Sequence, residues 1–261
     1  MSSYTPDNDR YNTPQQPPES TASRWAKATN QFGPPLVTYI LLGTTVLVYI
    51  LQEVGGFAFG FDVVGALGAK VNSAIIQGQY WRLFTPMFLH GSILHIGFNM
   101  YALFIFGPVL ERYYGHVRYL ILYILAGFAG NVISFAFSPN PSLGSSTAIF
   151  GLIGAEAVFL YQNQELFAGR AKGALQQIIA VAVINLLIGL SPGIDNWGHV
   201  GGLIGGTLFA LMAGPRLRIE GFPPFASLKD ERENGSVIAA SLAVGVLFVA
   251  IAGAVIYMHI G

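Results

Sequence analysis

Long apolar stretches, each about the length of a membrane-spanning helix, recur along this chain between short polar or charged segments. A hydrocarbon core about 30 Å thick is crossed by a helix of about 20 apolar residues. The repetition predicts an all-α polytopic membrane protein. The chain is 53% hydrophobic and only 10% charged, whereas soluble domains carry about 25% charged residues.

The expected spans are residues 34–52, 92–110, 117–137, 146–161, 174–190, 197–213 and 237–257. Residues 53–91 connect the first two. They are moderately apolar and Gly-rich, and read as a structured loop on or partly in the membrane, with Tyr80 and Trp81 as interfacial anchors. Residues 1–33 are polar and Pro-rich, which predicts a disordered cytoplasmic tail without a cleavable signal peptide. A six-span core then covers 34–213. A linker at 214–235, with a charge cluster and Pro223-Pro224, leads to a seventh helix within 236–261.

Basic residues orient the chain. With the tail inside, the inner segments hold eleven Lys and Arg residues, and the outer ones hold only Lys70 and Arg82. Basic residues favour the cytoplasmic side, so the N-terminus is expected inside and the C-terminus outside. The low charge and simple topology suit a bacterial plasma membrane, with an organellar membrane as the alternative. Zero formal net charge gives no hint of nucleic acid as a partner. The lack of Cys excludes thiolate chemistry and disulfides. His90 and His95 are five apart, a poor spacing for zinc on one helix face, so neither a metal nor another cofactor is expected.

Polar groups inside a bilayer are costly and mark candidate functional positions. Four stand out: His95 and Asn99 on the second span, Ser146 on the fourth and His199 on the sixth. All three spans enter from the outside. At 1.5 Å per residue, Ser146 lies roughly 22 Å and His199 roughly 21 Å from the inner ends of their helices. His95 and Asn99 lie roughly 24 and 18 Å from Glu111. The four therefore share one layer below the outer surface. A helix starting at Ser146 is too short to cross alone, so residues 139–145 must dip inward as irregular backbone. Such backbone is tolerated where it is buried in protein or lines a wet cavity.

A serine hydroxyl becomes a nucleophile when a base takes its proton, and His199 can be that base without a third acid. Asp195 lies one turn before His199, where a helix cap is the favoured role. His95 and Asn99, spaced i and i+4, can present donors to one oxyanion together with the Ser146 amide. The competing reading takes each residue singly as a packing or interhelical hydrogen-bonding group; four at one height disfavour it. Gly151 and Gly154 on span four, and Gly201, Gly202, Gly205 and Gly206 on span six, let these helices approach closely. Phe150, one turn below Ser146, either stacks on His199 or fills the apolar core.

These residues, taken together, resemble the rhomboid family of intramembrane serine proteases. The likeness runs from Tyr80 to Gly206. It includes Trp81-Arg82, the pattern HxxxxHxxxN formed by His90, His95 and Asn99, then Glu111 and Gly115. It continues with Gly144-x-Ser146 before AIFGLIGA, and with NWGHVGGLIGG around His199. The resemblance implies a six-plus-one helical architecture, Ser146 as nucleophile and His199 as general base. It implies His95, Asn99 and the Ser146 amide as the oxyanion hole, Trp81-Arg82 in a structural first-loop insertion, and the fifth span as a lateral gate. One departure is Thr147, where the family usually has Gly. Ser145 is a second hydroxyl at the same turn, and the Gly-x-Ser spacing favours Ser146.

The expected function is hydrolysis of peptide bonds in transmembrane segments, with single-pass membrane proteins and the lipid bilayer as partners. The alternative is a catalytically silent relative that binds membrane clients, which would usually lack the Ser or the His. A transporter is disfavoured, because no inverted repeat is evident and the inner halves of spans four and six read as free of ionisable residues.

Overall fold

The computed structural model describes residues 33–167, 169–221 and 227–260. The tail expected over 1–33 therefore lies outside the described residues apart from Gly33, as do Pro223 and Pro224 of the linker.

Helix α1 (Leu36–Phe59) continues seven residues past the expected end at Gln52. Gly55 and Gly56 do not break it, because the VGGFAF segment stays apolar and Gly60, at φ 75°, closes the helix. The connection to the second span is structured. It holds the short helices α2 (Val63–Gly68) and α3 (Asn72–Ile76) and the 3-10 turns Tyr80–Leu83 and Thr85–Phe88. Arg82 pins these pieces together by donating to Ala69 O at 2.8 Å, Ala66 O at 2.9 Å and Gln79 Oε1 at 2.7 Å.

Helices α4 (Ile93–Tyr114) and α5 (His116–Phe137) meet at Gly115, whose φ of 74° suits a residue without Cβ. Helix α6 (Ser146–Gln162), a 3-10 turn at Gln164–Phe167, α7 (Ala171–Ile188) and α8 (Asn196–Ala213) complete the core. The linker is not featureless: β1 (Leu217–Glu220) and β2 (Ser227–Asp230) form an antiparallel hairpin, pairing Leu217 with Asp230. It is held to the helices by Arg118 Nη1 to Asp230 Oδ2 at 2.7 Å, and by Leu217 N to Asn163 Oδ1 at 2.7 Å. Helix α9 (Asn234–Ile260) follows and packs against α5 and α8.

Among the described residues, α1, α4, α5, α7 and α9 are long and apolar enough to cross a membrane. Helix α6 is apolar but has 17 residues, and α8 is diluted by Asn196, His199 and its glycines. These two are the inner pair. They pack on each other and on α5, whose Tyr119, Leu122, Tyr123, Ala126, Ala129 and Val132 are fully buried. Burial in protein removes the need for a continuous lipid-facing apolar surface, which is why both helices carry polar residues. Helix α7 is the loosest member, packing along α6 with most of its surface exposed.

Candidate active site

The site is built on the irregular backbone between α5 and α6. Its extended part is fixed from behind by a two-bond bridge, Lys70 N to Ser142 O at 2.9 Å and Ser142 N to Lys70 O at 3.1 Å. The Lys70 side chain is fully buried and donates to Ser138 O at 2.9 Å and Asn140 O at 2.7 Å. These carbonyls have no helical partner beyond the end of α5, and an ammonium with three donors satisfies them. Burial pushes the Lys70 ammonium down to about 8, with the Asp195 carboxylate acting in the opposite direction. The sequence reading treats Lys70 as an outer-loop charge; its strut role is invisible there, because a lone Lys in a Gly-rich loop carries no mark of burial.

The turn then passes through Gly144, at φ 139°. A Cβ here would lie 2.8 Å from His95 Nε2, so Gly both permits the backbone angle and lets His95 close on the turn. Helix α6 starts with Ser146, whose Oγ lies 2.9 Å from His199 Nε2. The approach depends on missing side chains. A Cβ on Gly202 would lie 1.9 Å from Thr147 O, and one on Gly206 would lie 2.2 Å from Gly151 O. The α6 and α8 backbones therefore touch directly, and Ser146 and His199 meet across the seam. Phe150 stacks on the His199 ring, with centroids 4.3 Å apart and planes 13° from parallel. His199 Nδ1 is buried and meets no hydrogen-bond partner among the described residues.

Asp195 does not reach His199 as a third member. Its Oδ1 accepts from Gly198 N at 3.0 Å, capping α8, and its Oδ2 accepts from Ser134 Oγ. His95 accepts at Nδ1 from Gly91 N at 3.5 Å, which leaves Nε2 as the proton-bearing nitrogen facing the turn. Asn99 is buried and donates to His95 O at 3.0 Å; it holds the α4 backbone beneath His95 and is not part of the cavity wall. The cavity encloses about 560 Å³ and is lined by His95, Ser146, Asp195 and His199 among others. One wall is the polar segment of Ser138, Asn140 and Ser142, and exposed Phe98 stands at another. The arrangement suits addition of a hydroxyl to a carbonyl, with an imidazole to take the proton and a donor opposite.

The inner half of span four is not free of ionisable residues: Glu156 lies in the inner half of α6, its Oε2 buried without a hydrogen-bond partner among the described residues. The signal is plain, a single Glu within GAEAVFLY. Glu111, which marks the inner end of the second span, is 1% exposed and receives Val37 N, Thr38 N and the Thr38 hydroxyl.

A model of the rhomboid domain matches residues 77–216, more than half of the 261-residue chain. Rhomboid protease GluP of Bacillus subtilis (strain 168) is 40% identical over 222 residues, 85% of this chain and 42% of its own length. Two Arabidopsis thaliana proteins are also similar. RHOMBOID-like protein 9, chloroplastic, is 33% identical over 70% of this chain and 44% of its own length. RHOMBOID-like protein 6, mitochondrial, is 38% identical over 60% of this chain and 52% of its own length. The chain thus spans about half the length of these relatives or less. The matched region contains Ser146, His199, His95 and Asn99, and the chain belongs to the rhomboid family of multi-pass membrane proteins.

Proposed function

We propose that this chain is an intramembrane serine endopeptidase that hydrolyses peptide bonds in or near the transmembrane segments of single-pass membrane proteins. The observation that carries the reading is the 2.9 Å contact between Ser146 Oγ and His199 Nε2 at the wall of a polar cavity. The similarity to a rhomboid protease supports it.

In this mechanism His199 Nε2 takes the Ser146 proton as Oγ bonds to the substrate carbonyl carbon. The oxyanion is met by the Ser146 amide and His95 Nε2–H; Asn99 joins them when its amide, engaged by His95 O in the free protein, turns towards the cavity. The tetrahedral species collapses, and His199 delivers the proton to the departing amine. Water then attacks the acyl-enzyme, His199 removes its proton, and Ser146 leaves as the free hydroxyl. Water reaches the bond through the cavity. The substrate must present extended backbone to Ser146, so segments with small or helix-breaking residues near their outer end are preferred.

The same reading has seven membrane crossings, with α6 and α8 carried across inside the bundle. The N-terminus faces the cytoplasm, the C-terminus faces outward and the host membrane is a bacterial plasma membrane. Helix α7, loosely held beside α6, is the lateral gate.

The test is fluorophosphonate labelling together with cleavage of single-span reporters by the wild type, Ser146→Ala and His199→Ala. Loss of both signals in both variants is expected. Labelling that persists in Ser146→Ala overturns the nucleophile assignment. Unchanged product levels in Ser146→Ala would instead favour a silent relative that holds membrane clients.

A further inference from the structure

The turn that carries Ser146 holds a second hydroxyl facing a second histidine. Ser145 is fully buried, and its Oγ lies 3.2 Å from His90 Nε2. The Ser145 backbone N–H points to the same nitrogen at 3.4 Å. A nitrogen that receives an N–H is an acceptor, so Nε2 is unprotonated and the Ser145 hydroxyl donates to it as well. Ser145 occupies the N-cap position of α6, yet its side chain makes no capping bond. A serine there ordinarily stabilises its helix by capping. Here the hydroxyl is directed to His90.

His90 is itself held from behind. Its N–H donates to Gln52 Oε1 at 3.0 Å, and its carbonyl accepts from Gln52 Nε2 at 3.2 Å. The same Gln52 nitrogen reaches Asp62 Oδ2 at 2.7 Å, and Asp62 caps α2 through Gly65 N at 2.8 Å. Gln52, His90 and Ser145 are all buried, and none lines the cavity. They cannot touch a substrate there. What they reach is the backbone one residue before Ser146.

We propose that Gln52, His90 and Ser145 form a positioning strut. It runs from α1 to the mouth of α6 and fixes the direction of the Ser146 amide and hydroxyl. It acts through the backbone of the turn. Two serines in succession thus divide the work, one anchoring the turn and the other doing chemistry. The strut deepens the protease reading and rests on it for its activity readout.

The experiment compares Ser145→Ala, His90→Ala, His90→Gln and the double variant Ser145→Ala/His90→Ala, in the full chain in detergent micelles. Misplacement of a reacting group by about 1 Å lowers rates by up to about a hundredfold. Ser145→Ala is expected to lower kcat and the rate of fluorophosphonate labelling about tenfold, with KM within about twofold of the wild type. The double variant is expected to match His90→Ala, because the two groups act through one contact. His90→Gln, whose amide tip can occupy the Nε2 position, is expected to restore part of the rate. Hydrogen exchange of amides 145–148 is expected to quicken in Ser145→Ala. That readout needs no activity, so it judges the strut even where labelling fails in the wild type. Wild-type kcat and labelling in Ser145→Ala, additive effects in the double variant, or unchanged exchange across the turn would each overturn the proposal.

Discussion

The Glu111 carboxylate receives the Thr38 hydroxyl at 2.6 Å and the Thr38 amide at 2.8 Å, so the last full turn of α4 caps the first turn of α1. Helix α1 starts after Pro35, which offers no capping side chain, and has no acidic residue in its first turn. Glu111 supplies both from another helix, and His116 Nδ1 meets its other oxygen at 2.5 Å. Glu111→Ala leaves three buried donors without an acceptor. A stability loss of about 3 kcal/mol or more is expected, with a smaller loss for Glu111→Gln. Unfolding in mixed micelles measures both.

The seam between α6 and α8 has no room for a methyl group at Gly202, because the added carbon would lie 1.9 Å from Thr147 O. Gly202→Ala must push the helices apart and draw His199 away from Ser146. Loss of phosphonate labelling is expected, with a lower unfolding midpoint. Gly235→Ala, where nothing lies within 4 Å, serves as the neutral control.

Phe150 supports the His199 ring from its face, at a centroid distance of 4.3 Å. Phe150→Leu keeps an apolar side chain but removes the flat surface that fixes the imidazole plane. A fall in kcat of about tenfold is expected, with KM little changed. Phe150→Tyr keeps the ring and is expected to stay nearer the wild type. Equal kcat for Leu and Phe at this position would remove the stacking from the account.

Acid sensitivity has a definite sign at His90. Burial and the neighbouring His95 hold its imidazole neutral, pushed down to about 3. In the unfolded chain it titrates near 6.5. Between these values the unfolded state binds more protons, so this contribution is complete above about pH 6.5 and is lost as pH falls towards 3. The unfolding midpoint of the wild type is expected to drop across that window more steeply than that of His90→Gln. Parallel curves for the two proteins would contradict it.

The layer shared by Ser146 and His199 was readable by counting residues along helices, because helical rise is constant and an apolar run declares its length. The α6–α8 seam was readable too, since glycines spaced by three and four leave a groove wherever they fall. What the sequence hides is partnership at long range. Nothing around Lys70 signals that it closes the end of α5, and nothing around Gln52 signals that it grips His90 thirty-eight residues away. Asn99 illustrates the limit within a motif: its place on the His95 face is plain, but the engagement of its amide by the His95 carbonyl depends on a rotamer. The extent of α1 depends on Gly55 and Gly56, which break isolated helices and are harmless in a packed one.

Helix lengths differ sharply around the molecule. Helices α1 and α9, with 24 and 27 residues, extend about 36 and 40 Å, whereas α6 and α7, with 17 and 18, reach only about 26 and 27 Å. Against acyl tails about 30 Å deep, α1 and α9 have length to spare, whereas α7 crosses with none. In a thicker bilayer, lipid beside α7 thins or the body tilts, and thinning draws headgroups and their water down along that helix. Short-chain bilayers fit this flank at rest, and long-chain ones strain it.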